Sequence, residues 1–388
     1  MFDSYFPCWR RVSGVAGRSS VPPGVIAPDE RLPAAQTLAM GVQHVVAMFG
    51  STILAPLLMG FDPNLCVLMS GIGTLLFFVL VGGRVPSYLG SSFAFIGLVI
   101  AATGYTGQGP NPNVPVALGG IVACGVVYTA IGLWVTVVGT SWIEKLMPPV
   151  VTGAVVAVIG LNLAPIAVKG VTATTFDAAM ALLTVVTVGI IAVFTRGIVQ
   201  RLLILVGLAL AYAMYALVTN GLGLGKPIDF SVVARAAWFG MPRFATPVFQ
   251  MPAMSLLAPV AVILVAENIG VMAATKIYST LVFVVAALIA VVLGFSPKFG
   301  ALIATIPGPV LGGVSIVVFG LIAVTGARIW VENRVDFTEN RNLIVAAVAL
   351  VLGAGDFTVH LGNFALGGIG TATFGAILLY ALLRRHGR

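Results

Sequence analysis

Glu267 sits where a charge is hardest to keep. Residues 252–276 form a 25-residue stretch in which it is the one charge before the terminal Lys276. A helix crosses a bilayer with about 20 apolar residues, so this carboxylate falls near mid-span. A charge there is expensive and faces a protein interior or a wet cavity. It reads as an ion or substrate site, or else as a neutral Glu satisfied by a neighbouring helix. Asn268 and the helix-loosening Gly270 follow at once. A second unusual stretch is Val85-Pro-Ser-Tyr-Leu-Gly-Ser-Ser-Phe-Ala-Phe95. Pro86, Gly90, Ser91 and Ser92 suit an extended segment followed by a half-helix from about Phe93. Such backbone is tolerated at membrane depth only where it lines protein or a cavity. A half-helix N-terminus there aims free N–H groups at a carbonyl or anion. The combination suits a neutral heterocycle with amide-like edges: the carboxylate accepts ring N–H groups, and backbone N–H groups donate to ring carbonyls. Glu267 could also carry a coupling proton. His44, beside Gln43, titrates near neutrality and suits a proton or orienting role, the alternative being a hydrogen-bonded packing residue. Asp356 and His360 read as interfacial.

The elements that position these residues are membrane spans. The chain has 388 residues, 59% hydrophobic and 8% charged, with mean hydropathy +1.10. A soluble domain carries about 25% charged residues, so this is a polytopic, all-α membrane protein. The net charge of +8 belongs to loops near anionic lipid and gives no nucleic-acid signal. Cys8, Cys66 and Cys124 have no metal-ligand spacing. There is no nucleophile–base pair or Walker motif, and Gly367-Gly368-x-Gly370 lies in an apolar span. No enzyme, cofactor or metal is expected. No secretory signal peptide is read at the start; residues 1–33 are expected to be a mobile cytoplasmic tail.

Apolar runs predict twelve spans, near 34–58, 64–82, 86–104, 117–139, 147–168, 176–195, 199–220, 252–276, 277–295, 301–326, 341–356 and 362–383. With the N-terminus inside, 15 Lys and Arg fall on the inside and 5 on the outside, three of the five in the loop 221–251. The positive-inside rule then puts both termini in the cytoplasm. Pro149-Val150-x-x-Gly153 with Val158-x-Gly160-Leu161 recurs as Pro309-Val310-x-x-Gly313 with Val318-x-Gly320-Leu321, offset by 160. The two copies run in opposite directions, as in the inverted-repeat transporters; chance likeness of two Gly/Val-rich helices is the alternative. The repeat also exposes a shortage. The halves hold seven and five spans, so two spans, about 45 residues with their turns, are missing just before or within 252–276.

Glu267-Asn-Ile-Gly270-Val-Met-Ala-Ala-Thr275-Lys276 resembles the signature of the nucleobase–ascorbate transporter family, also called nucleobase:cation symporter-2. That signature is an acid or amide, Asn-x-Gly, four residues, then Thr-Arg/Lys. Gln43-His44-Val-Val-Ala-Met-Phe-Gly-Ser51 resembles its first-span motif, and Tyr88-Leu-Gly-Ser-Ser-Phe-Ala-Phe95 its third-span strand–helix element. The likeness is strongest to the family's bacterial pyrimidine (uracil) permeases, through Val85-Pro-Ser-Tyr88, Met147-Pro-Pro-Val-Val-Thr-Gly153 and Leu352-Gly-Ala-Gly-Asp-Phe357.

The resemblance implies two inverted sevens of spans, a core and a gate domain, and uracil–proton symport by an elevator-like movement. It implies a homodimer in the bacterial cytoplasmic (inner) membrane. Glu267 would bind the base, Phe93 would offer its backbone N–H, Ser51 and Ser92 would line the pocket, and Phe319 would cap it. Gln43 and His44 would organise the site with the proton. Asn268, Gly270, Thr275 and Lys276 complete the motif. The corresponding division is a tail 1–33, core 34–139, gate 140–222, an external loop 223–251, a truncated second core part 252–295, a second gate part 299–384 and a tail 385–388.

One departure is large. The family carries an Ala-Glu-Asn-type motif twice, in its eighth and tenth spans, and here it occurs once. Residues up to Val265 read like the eighth span and those after Asn268 like the tenth. Glu267 then stands for two acids, and the strand opposite Ser91–Phe95 is gone, at roughly 1–3 kcal/mol per unsatisfied buried group. The fusion keeps span parity. The first-half fold is expected to persist with a looser core, and transport to be impaired or absent. The alternatives are therefore a working symporter, a family member that only binds or assembles, and a xanthine or uric acid permease or a channel.

Overall fold

The computed structural model describes residues 7, 9–11, 26–107, 109–271, 279–361 and 364–384. They form two compact units: Met1–Ser91 with Ala179–Phe244 and Ala274–Val314, and Ser92–Ala178 with Ala245–Ala273 and Ser315–Arg388.

In the first unit the opening span is broken. Ala34–Ala47 and Gly50–Leu58 meet at 44°. Pro56 has no N–H for the usual bond to Thr52, and Gly50–Leu54 answers by winding as a π-turn. Pro63–Leu80 starts cleanly, because Pro63 needs no N–H and Asp62 accepts from the N–H groups of Asn64 (2.8 Å) and Leu65 (3.4 Å). Thr280–Gly294 packs on both spans. Gly41 faces Val285, Gly71 faces the Ala287 carbonyl, and Gly294 lies against Leu68. Small residues at each crossing let backbones approach where lipid supplies no hydrophobic drive. Beyond Gly294 the chain turns 81° into Pro297–Ala304.

The start of Thr280–Gly294 is held by the N-terminal segment. The Trp9 indole N–H donates to Thr280 Oγ1 (2.9 Å), the Thr280 hydroxyl to Pro28 O (2.9 Å), and the Ser279 hydroxyl to Glu30 O (2.7 Å). Residues 9 and 26–33 are thus docked on this helix start, while most of the expected tail lies outside the described residues. The orphan N–H groups of a buried helix start need partners; the Thr280 N–H donates to Pro28 O (3.2 Å), and Ser279 and Thr280 are buried.

The second unit is built around Pro149–Lys169, 72% of whose apolar window is buried. Val114–Val138, Asn340–Ala354 and Gly368–Arg384 belong to this unit, with Met251–Leu257, Val260–Val271 and the later part of Gly308–Glu332. The two repeat helices lie against each other. Gly153 meets the Gly326 carbonyl and Trp330, and Gly160 meets the Phe319 carbonyl and Ala323. Rising numbers on one helix meet falling numbers on the other, so they run antiparallel, as an inverted repeat requires. The Trp330 indole donates to Val150 O (3.0 Å).

Each of the twelve expected spans overlaps a helix among the described residues; seven of the helices, or up to nine spans if each bent pair is one, are long and apolar enough to cross a membrane. Residues 86–104 hold one half-helix, Phe95–Thr103. Residues 301–326 split into Pro297–Ala304 and Gly308–Glu332, because Pro307 disfavours helix in Ile306 and ends the first piece. In 362–383 the described residues begin with a strand, Phe364–Leu366, antiparallel to Val359–Leu361, before Gly368–Arg384.

Gly160 and Gly320 are equivalent in the repeat but not in packing. A Cβ on Gly160 would lie 2.3 Å from the Phe319 carbonyl, whereas one on Gly320 meets nothing within 4 Å. Gly160→Val should sharply reduce folded protein, since overpacking costs about 1–3 kcal/mol or more. Gly320→Val should be tolerated. Monodisperse yield in detergent, measured by size exclusion for both variants, checks this.

Candidate functional site

The break in the third span creates the site. Residues 84–92 are non-helical, and Phe95–Thr103 begins only after a turn at Phe93 and Ala94. In the second unit the Ser92 hydroxyl donates to Glu267 Oε2 (2.6 Å) and accepts from the Ala94 N–H (3.2 Å). A serine hydroxyl has one proton and two lone pairs, so this residue joins the start of the half-helix to the carboxylate of Val260–Val271. The Phe93 N–H has no partner among the described residues. The Phe93 ring meets Phe319 edge-on, with centroids 6.0 Å apart at 81°. Phe319 is 1% exposed, and its helix is held at this level by Gly160. The arrangement offers a carboxylate, an open N–H and an aromatic wall together.

Asn268 points elsewhere. Its amide donates to the Tyr128 hydroxyl (3.1 Å) and to Leu264 O (2.8 Å), fixing Val260–Val271 against Val114–Val138. Gly270 lies in the same helix. Thr275 and Lys276 lie outside the described residues.

Gln43, His44 and Ser51 belong to the first unit. The His44 ring lies 4.7 Å from Phe283, and its Nε2 is buried with no partner among the described residues. The Ser51 hydroxyl donates to Met48 O (3.2 Å). A Cβ on Gly90 would come within 2.8 Å of Ser51 Oγ, so the extended segment passes the π-turn closely because residue 90 is glycine. Side chains of Pro63–Leu80 bond the backbone of that segment at Leu89. The Leu89 N–H donates to Thr74 Oγ1 (2.9 Å), and the Ser70 hydroxyl donates to Leu89 O.

Sequence reasoning missed Thr74, Ser70 and Tyr128. Hydroxyls in apolar spans were the available signal. It also missed Asn162, the one amide inside Pro149–Lys169, which donates to Gly353 O (2.8 Å) and Asp356 Oδ1 (3.0 Å). Asp356 accepts in turn from the Gly368 N–H (3.1 Å), so it ties the ends of two helices. His360 is exposed on the hairpin.

The profile Xan_ur_permease, described as Permease family, matches residues 35–270 and 265–362. The chain belongs to this family. It is 62% identical over 427 aligned positions to a protein of Escherichia coli (strain K12) named putative pyrimidine permease RutG, covering 98% of this chain and 96% of the relative. It is 38% identical to the uracil permease of Paenibacillus larvae subsp. larvae, over 92% of this chain and 96% of the relative. The uracil permease of Bacillus caldolyticus is 35% identical, over 92% and 94%. Two details bear on the shortage of spans. An alignment of 427 positions to a chain of 388 leaves at least 39, the difference, with no residue of this chain. The two family matches share residues 265–270, which contain Glu267 and Asn268, so one short segment answers to two places in the family.

Thr74→Val should leave the Leu89 N–H unsatisfied, a loss of about 1–3 kcal/mol, while Thr74→Ser keeps the bond. Thermal unfolding in detergent should show a lowered midpoint for valine alone.

Proposed function

We propose that this permease carries nucleobases of the uracil class together with protons. The observation that carries this reading is the Glu267 carboxylate bonded by Ser92 at the helix break, beside the open Phe93 N–H and the Phe93–Phe319 ring pair. Relatives named pyrimidine and uracil permeases support it. In this reading Glu267 accepts the ring N–H groups of the base and takes the coupling proton. Phe93 N–H donates to a ring carbonyl, Ser92 lines the pocket, and Phe319 caps it. His44 and Gln43 orient the site, with Asn268, Gly270, Thr275 and Lys276 as the remaining motif positions. Spans 34–139 with 252–295 form a core that moves past a gate formed by 140–222 and 299–384. The chain works as a homodimer in the bacterial inner membrane with both termini in the cytoplasm. The proton is the coupling ion and no other cofactor is required.

The doubly matched segment 265–270 favours one second reading, a member that binds or assembles but does not transport. Radiolabelled uracil uptake separates the two, measured in cells lacking their own permeases at matched membrane abundance. We expect saturable uptake that falls as external pH rises and is abolished by Glu267→Gln. Ser92→Ala should weaken apparent affinity roughly tenfold or more, since bonds to charged groups contribute about 1.5–3 kcal/mol; Ser92→Thr should not. Uptake only after the missing segment is restored would establish the second reading.

A further inference from the structure

Residues 237–244, in the first unit, combine a fixed backbone with unusually exposed rings. The Lys298 N–H donates to Ala237 O (3.0 Å), the Gly240 N–H to Phe295 O (2.9 Å), and the Arg243 N–H reaches Asp62 Oδ2 at 3.5 Å. Phe239 stacks on Phe295, with centroids 5.7 Å apart at 17°, and Lys298 Nζ lies 4.4 Å from the Trp238 ring centre. Yet Trp238 is 76% exposed, Phe239 and Met241 are each 73% exposed, and Phe244 is 58% exposed. A cluster of large apolar side chains in one short segment marks an interaction surface.

The anchors define its depth. Asp62 caps the start of Pro63–Leu80, Phe295 follows the end of Thr280–Gly294, and Lys298 lies in the first turn of Pro297–Ala304. A segment bonded to these span ends lies where hydrocarbon gives way to headgroups. Aromatic rings are favoured at that level. The nearby sequence carries Lys226, Arg235, Arg243 and Lys298 against Asp62 and Asp229, an excess of cations that suits lipid phosphates. We propose that residues 237–244 form an interfacial anchor whose partner is the headgroup–acyl boundary of the bilayer. Depth and charge favour lipid over a second copy of the chain.

The test uses the full chain in nanodiscs containing anionic phospholipid. Tryptophan emission is quenched by lipids brominated near the headgroup end of the acyl chain and, separately, by aqueous iodide. The emission lost in Trp238→Phe reports Trp238. That component should be quenched by the brominated lipid roughly twofold more than the remaining emission, and little by iodide, as an interfacial ring requires. Strong iodide quenching without lipid quenching would place the segment in water and overturn the proposal. Protection from both quenchers would mean that protein covers it, which also overturns it. Lys298→Gln, which removes the cation over the ring, keeps Trp238 present and should leave the lipid quenching in place.

Discussion

The Ser92 hydroxyl is the point on which the site depends. A helix that breaks inside a bilayer exposes backbone groups that hydrocarbon cannot satisfy. Here one hydroxyl accepts the N–H of Ala94 at the break and spends its own proton on Glu267. A buried carboxylate and an interrupted helix would each be a liability alone; joined, they make a small polar centre in an apolar unit. The Phe93 N–H beside it has no partner among the described residues. Such a centre can recognise a flat, polar-edged molecule by presenting acceptor and donor together.

What keeps that centre in place is close packing of small residues. Gly153 and Gly160 let Pro149–Lys169 lie against Gly308–Glu332, and this contact fixes the height of Phe319. The same helix carries Asn162, which ties the end of Asn340–Ala354 to Asp356. In the first unit Gly41, Gly71 and Gly294 play the equivalent part around Thr280–Gly294. These glycines serve helix crossings, whereas a Cβ on others in spans, such as Gly125, Gly132 and Gly189, meets nothing within 4 Å. Where a repeat glycine has no such crossing, as at Gly320, it faces open space.

Much of this was legible in the sequence, because a bilayer leaves few choices. Apolar length located the spans, and the misfit of Pro86, Gly90, Ser91 and Ser92 with a helix located the break. The lone charge located Glu267. Less legible were features decided by partners distant in sequence. Nothing near Leu89 says that Thr74 and Ser70 will satisfy its backbone, and nothing near Asn268 says that it will reach Tyr128. The strand Phe364–Leu366 was hidden by its own apolar composition, which reads as the start of the span 362–383. Docking of residues 26–33 was missed because the donors that hold them, on Ser279 and Thr280, belong to another part of the chain.

The shared family match at 265–270 makes the central claim a demanding one: a single carboxylate, in a span that answers to two, binds the base and its proton. Calorimetric titration of the purified chain with uracil, in buffers of different ionisation enthalpy, tests this most directly. The account predicts that binding takes up a proton, that affinity falls as pH rises, and that Glu267→Gln removes the proton uptake. Binding of equal strength in the Glu267→Gln protein, with no proton exchanged in either, would contradict it.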